Sequence, residues 1–533
     1  MSTLDRAQQA RTVTATQATA PAAAEPAPPA PGRARFFLCR TVAGTEWRLQ
    51  RRDAGLWLAV ALLMLCSLYA MWGGLQREHE RASAVHAAQL DERARLAQWQ
   101  QQIAQLSASG AERPSQVWRD PASPIGTGRG AAATVAHLAP APLALTAAGL
   151  SDLHPPSVRI GLGSRDRFFF VDELANPMVL ASGPFDLAFV VVYLLPLLVL
   201  GLNYNLWSQE REQGTWALIA ASSAPPLAVL LVKGLVRIVP LLLVLLATPL
   251  VAWSLAAGAL SPAEAGSATA RGIDAAGFGA AALLPWLAWA LSVTLYALLW
   301  LALALWVNSW RKDSASNAVM LVTAWVALLV IVPAGINAGA QAAAPAPSRA
   351  ELLLTVRQGA IDAERDREAA QAGFRADHGA SPAQDSAATR DRRLAAQTRR
   401  ADAQAREVME RHDAQVLRQR RLSDALSALA PPMLMQNALA DLAGHGHARW
   451  DTHLAELGRF HERWQQHFLG LAEGEIALTA ASAAAFPRFQ AQAQPTFVSG
   501  VARRLLTTWA WMASLCALAL SRAVRGFSQV ARG

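Results

Sequence analysis

Any chemistry in this chain must come from its histidines or from one short acidic run. All eleven histidines fall within 77–185 and 341–503, and five of them lie between His445 and His467. Met433 and Met435 are close by, so His445, His447 and His453 are weak candidates for a soft or borderline metal such as copper. The register argues the other way. His453, Leu457, Phe460, Trp464, His467 and Leu471 recur at 4-3-4-3-4 spacing, which puts two histidines on an apolar packing stripe. The acidic run is Glu210-Arg-Glu212-Gln-Gly214-Thr215, followed by Pro225 and Lys233. Gly214 permits a sharp turn. Thr215 is a candidate N-cap for a short helix carrying Trp216, Leu218 and Ile219. Glu210 and Glu212 could pair with a basic partner. A solvated loop ending in an interfacial helix has the same composition.

Catalytic motifs fail on spacing. A zinc-protease helix built on His461-Glu462 needs a histidine at 465, which is Gln465; His79-Glu80 needs one at 83, which is Ser83. There is no Gly-x-Ser-x-Gly elbow. The chain holds 46 Arg and two Lys, Lys233 and Lys312, preceded by Val232 and Arg311. A phosphate-binding P-loop ends in Gly-Lys-Ser/Thr, so this chain contains none. If ATP drives the protein, another subunit binds it together with its Mg. No catalytic residue can be named.

The elements that would carry these residues follow from composition. Of 533 residues, 53% are apolar and 16% charged, against about 25% charged in soluble domains. The charges are bunched, leaving long uncharged runs. A helix needs about 20 residues to cross a bilayer, and six runs qualify: 54–76, 187–207, 226–257, 277–307, 316–338 and 504–521. Lys233 and Arg237 are tolerated near one end of the third. Pro196, Pro240, Pro249 and Pro285 would free carbonyls and bend their spans. Asn203, Asn205 and Asn308 read as interfacial. The expected fold is an all-α polytopic membrane protein.

Arg and Lys near span ends give orientation. The segment 33–53 holds six Arg against Glu46 and Asp53, and the tail 522–533 holds Arg522, Arg525 and Arg532 without an acid. Both termini and the 208–225 segment therefore face the cytoplasm. Two large, mostly helical insertions, 77–185 and 341–503, lie outside. The first opens with a helix continuing upward over Arg77–Gln105, and Val158–Val171 has room for a short strand or two. The second has helical stretches at about 350–377 and 383–428, with charges spaced for i,i+4 pairing. Residues 1–32, rich in Ala, Pro, Thr and Gln, read as a disordered tail. The net charge of +9 comes without a basic motif interleaved with aromatics, so the lipid bilayer, not nucleic acid, is the expected partner.

The acidic-x-acidic-x-Gly-Thr run after the second span, the proline about ten residues on and the lysine beginning the third span resemble the ABC-2 type transporter permeases. In that family the segment is the coupling helix that docks on a nucleotide-binding subunit. Glu210, Glu212, Gly214, Thr215 and Lys233 match residue by residue. Three further stretches look like a branch with two large extracytoplasmic insertions of undefined function. They are Gly149–Pro155; Asn176-Pro177 with Phe185–Phe189; and Leu429–Gly444. The resemblance covers roughly residues 40 to 525. It implies a bacterial inner-membrane permease, paired with itself or a sister subunit, and bound to ABC ATPase subunits. It implies ATP-driven export or extraction of a substrate it does not identify. A mechanical transducer acting on a periplasmic or outer-membrane partner is the alternative, and a copper-delivery permease rests on the His and Met cluster alone.

Overall fold

The computed structural model describes residues 31–149, 151, 154–163, 185–217, 225–259, 280–345, 358, 361, 365, 386–490 and 499–528. Of the tail expected over 1–32, residues 1–30 lie outside those residues and 31–32 begin a helix; the 260–279 loop, Asn176-Pro177, 164–184 and most of the 350–377 stretch also lie outside.

The protein is a helical, multi-pass membrane protein. Among the described residues, five helices are long and apolar enough to cross a membrane. Helix α1 (Pro31–Gln50) precedes them. Helix α2 (Ala54–Ser109) starts at Asp53, whose carboxylate accepts the Gly55 N–H at 2.9 Å, and stops at Gly110 in the left-handed conformation. At 1.5 Å per residue its 56 residues extend about 84 Å, far more than the roughly 30 Å that a bilayer's hydrocarbon core requires. The other spans are α3 (Leu187–Glu212), α4 (within Pro226–Ala259), α5 (within Ala280–Asn308) and α6 (Ser314–Ala343). Helix α3 runs past the expected end at 207, with a turn at residues 204–207 before its last five residues. The final helix, α10 (Ser499–Ser528), contains the expected sixth span, 504–521, but is not among the five. Arg504 and Arg522 bracket an uncharged stretch shorter than the usual 20 residues.

Proline shapes α3 as expected. Pro196 has no N–H and crowds the carbonyl four residues back. The helix widens to i→i+5 bonding over Val190–Leu194, and the freed Val192 carbonyl accepts the Tyr296 hydroxyl of α5 at 3.0 Å. A second widened turn, Ala327–Ile331, precedes Pro333 in α6.

Beyond the bundle, the two insertions fold as one unit. The upper part of α2 buries Trp99 and Ile103 against an antiparallel pair, β1 (Thr134–His137) and β2 (Ser157–Ile160), with Thr134 opposite Ile160. Glu92 of α2 grips β1 through Thr134 Oγ1 at 2.7 Å and the Val135 N–H at 2.9 Å. The same core takes residues from the second insertion: α7 (Ala387–Leu426) and α9 (His447–Glu473). Asp391 of α7 accepts from Ser123 at 2.6 Å and Arg113 at 2.8 Å, and Trp464 of α9 donates to the Gly128 carbonyl at 3.1 Å. Charges on α7 also bond across to α9, as in Arg399–Glu473 and Arg420–Asp451. These pairs are largely exposed and contribute little each; burial of Phe460, Trp464 and Phe468 does more.

Helix α8 (Pro431–Leu442) behaves differently from its insertion. Met435, Ala438, Leu439 and Leu442 are fully buried in the bundle's core. Arg504 of α10 donates to its Asp441 at 2.9 Å.

Tyr296→Phe removes the donor at the Pro196 break and leaves the Val192 carbonyl buried without a partner. A loss of about 1–2 kcal/mol is expected, read as a lower thermal midpoint in detergent. Adding Pro196→Ala, which permits ordinary helical bonding there, should recover most of it.

Candidate functional site

The acidic run sits where α3 ends, and four other helices brace it. Glu210 does not point into solvent. One carboxylate oxygen is 2.5 Å from Lys233 Nζ of α4, and the other accepts the Thr215 hydroxyl at 2.5 Å. Thr215 thus turns back to Glu210, also reaching its carbonyl at 3.1 Å, and a helical turn begins directly after it at 216–217. Gly214 makes that return possible with φ +73°. Glu212 is exposed and accepts from Ser314 Oγ at 2.9 Å, at the start of α6. The remainder of the expected surface helix, 218–224, lies outside the described residues.

Lys233 leads to residues the sequence reading did not single out. Its ammonium is also 3.8 Å from Glu46 of α1, whose side chain is 4% exposed. Glu46 accepts from Arg237 Nε at 3.0 Å and from Gln50 at 3.1 Å. Arg237 in turn donates to the Leu202 carbonyl at 2.8 Å and Asn205 Oδ1 at 3.2 Å. Two carboxylates and two cations therefore alternate across α1, α3 and α4. A signal was present: Lys233 and Arg237 stand four apart on one face of an apolar helix, and intramembrane cations require partners.

Asn203 and Asn308, expected to be interfacial, are fully buried. Asn308 accepts the Trp207 N–H at 3.1 Å and donates to the carbonyls of Asn203 at 3.1 Å and Ala304 at 2.8 Å. Their amides take up backbone groups loosened where α3 turns. Trp216 packs edge-on to Trp207 and against Phe527 of α10. The segment is thus clamped from several sides, with Glu212, Gln213 and Gly214 left exposed.

Among the described residues, no three His, Cys, Asp or Glu side chains converge to hold an ion. His445 Nδ1 donates to the Ala147 carbonyl at 2.7 Å, which links the two insertions. His453 is buried beside Trp450 and Phe489. Burial, with nearby Arg81, Arg449 and Arg77 adding to it, holds His445 at about 4. Burial first and Arg449 second hold His453 at about 4 as well, while burial also lowers His447. Asp441 moves the opposite way: burial outweighs Arg504 and raises it to about 6.

The family described as Domain of unknown function (DUF3526) matches residues 349–492, the stretch that includes α7, α8 and α9. No curated protein and no solved structure matches the chain.

If Glu46 and Arg237 depend on each other, a double-mutant cycle with Glu46→Gln and Arg237→Met should give a coupling of at least about 1 kcal/mol in detergent unfolding; additive losses would show two independent sites. Acid response follows from the shifts. His445 and His453 contribute stability present above 6.5 and lost as pH falls toward 4. The Asp441 contribution is present at low pH and lost as pH rises through about 6. The histidines dominate, so stability should drop by about 2–3 kcal/mol between pH 7 and 4.5. His445→Asn should flatten a plot of thermal midpoint against pH.

Proposed function

We propose that the chain is the membrane-spanning permease subunit of an ABC-2 type ATP-driven transporter, exporting a substrate or extracting it from the bilayer. In this reading α10 supplies the sixth span, both termini lie in the cytoplasm, and the α2–α7–α9 unit stands on the outer side of a bacterial inner membrane. A separate ABC ATPase binds ATP and Mg and docks on the 208–225 segment; a second permease, identical or a sister, completes the core. The observation that carries the reading is the ion cluster behind that segment. Glu210 and Lys233 match the family pattern because they hold each other, so a push on the exposed Glu212–Gly214 turn reaches α4 directly and α1 through Glu46. Among the matching residues, Glu212 is then the docking contact and Glu210 the anchor.

One observation favours the alternative, a mechanical transducer that moves no solute. Helix α2 is unbroken from its bilayer-crossing part to the core around Trp99 and Ile103, the form of a lever that carries span motion to a periplasmic or outer-membrane partner. The copper-delivery reading lacks such support, since His445, His447 and His453 do not converge.

Affinity purification of the solubilised protein from native membranes should retain a P-loop ATPase. Glu212→Arg should cut its recovery at least about tenfold with membrane insertion unchanged, and adding Glu210→Arg should abolish it. Equal recovery from all three would overturn the docking assignment. Retention of a periplasmic protein alongside the ATPase would favour the transducer.

A further inference from the structure

A cavity of about 70 Å³ lies where α2 leaves the bilayer, walled by both insertions. Its floor carries Glu78 and Arg81, just past Gln76, where the apolar run of α2 ends. Arg449 and His445 close it from the second insertion, and His137 from the first. The His154 ring stacks on Trp450 at 3.8 Å to form one wall.

The charges in this cavity do not balance. Arg81 donates to the backbone carbonyls of Ser151 and His154. Arg449 donates to those of Ala139 at 2.6 Å and Gly444 at 3.2 Å. These acceptors orient the guanidinium groups but carry no charge. Glu78 is the single carboxylate in the lining, against two guanidinium groups; Glu456, outside the lining, also acts on Arg449. The histidines do not add to the acids. Two buried nitrogens also lack partners: Nε of Arg449, a residue 4% exposed, and Nδ1 of His137. The Arg449 Nε–H is a donor in every state, and a buried N–H without an acceptor costs about 1–3 kcal/mol, so the site is incomplete as it stands.

We infer that this cavity binds a phosphate-type oxyanion. Such a ligand accepts hydrogen bonds at every oxygen, supplies the missing negative charge and suits guanidinium donors. A water needs about 10–15 Å³ on this measure, so the cavity takes a group of roughly five heavy atoms, the size of a phosphate. Its place beside the end of the apolar run also puts it at head-group depth, so the phosphate can belong to a lipid or be free. The site requires α2 to cross the bilayer but not an ATPase partner, so it stands or falls apart from the permease reading.

The test uses the full-length protein and inorganic phosphate, followed by titration calorimetry. Arg81→Gln should weaken binding at least about tenfold, and Glu78→Gln, which removes the opposing charge, should tighten it by a similar factor. A gain in affinity cannot come from misfolding, so the second variant protects the first. A parallel arm measures phosphatidylglycerol retained by the protein from nanodiscs, using native mass spectrometry. Retention that Arg81→Gln abolishes and phosphate displaces identifies a lipid head group. Phosphate binding without such retention identifies a free anion. Absence of both, or phosphate affinity equal in wild type and both variants, would overturn the inference.

Discussion

Charges at the end of an apolar helix set the terms for one end of this molecule. Lys233 and Arg237 sit on α4 where solvent is scarce, and an unpaired cation there is costly. Two carboxylates meet them, Glu46 from α1 and Glu210 from the end of α3. Each pairing fixes a different element. Glu46 draws α1 against the spans, and Glu210 folds the Gly214 turn back through Thr215. The Asn203–Asn308 bonds and the Trp207–Trp216–Phe527 aromatics then seat that turn on α5 and α10. Remove the charge pattern and these helices keep their apolar contacts but lose a defined position for the exposed turn.

The opposite end is organised by length. Helix α2 has no proline and no break across its 56 residues, so it carries one side of the outer core on the same rod that crosses the bilayer. Trp99 and Ile103 give that core a rigid wall, and Asp391 and Trp464 stitch the second insertion to the first. Because α8 buries its apolar face in the bundle, the outer unit is tied to the spans through α2 and also through Asp441–Arg504.

The histidines belong to this architecture more than to chemistry. Burial keeps His445 and His453 neutral at physiological pH, and His445 spends its Nδ1–H on a carbonyl of the other insertion. His461 likewise bonds the Gly163 carbonyl at 2.8 Å. His445 and His461 thus each bond a carbonyl of the first insertion, whereas His453 fills space beside Trp450 and Phe489.

Much of this was legible from sequence because the signals are local. Uncharged runs of about 20 residues mark spans, Pro196 predicts freed carbonyls near itself, and the 4-3-4 spacing from His453 to Trp464 marks the buried stripe of α9, which runs on through Phe468 and Ala472 instead of the half-buried His467 and Leu471. Arg504 and Arg522 likewise show why the last helix is the least apolar. What sequence could not give were partners far apart in the chain: Glu46 with Arg237, Tyr296 with Val192, Asp391 with Ser123, and two insertions sharing one core. Hydropathy and periodicity state which face a residue occupies, not which face it meets. Glu210 shows the difference. Its place in the acidic run was evident from the residues alone, but its inward orientation was decided by Lys233, a cation 23 positions away that the low-dielectric end of α4 could not leave unpaired.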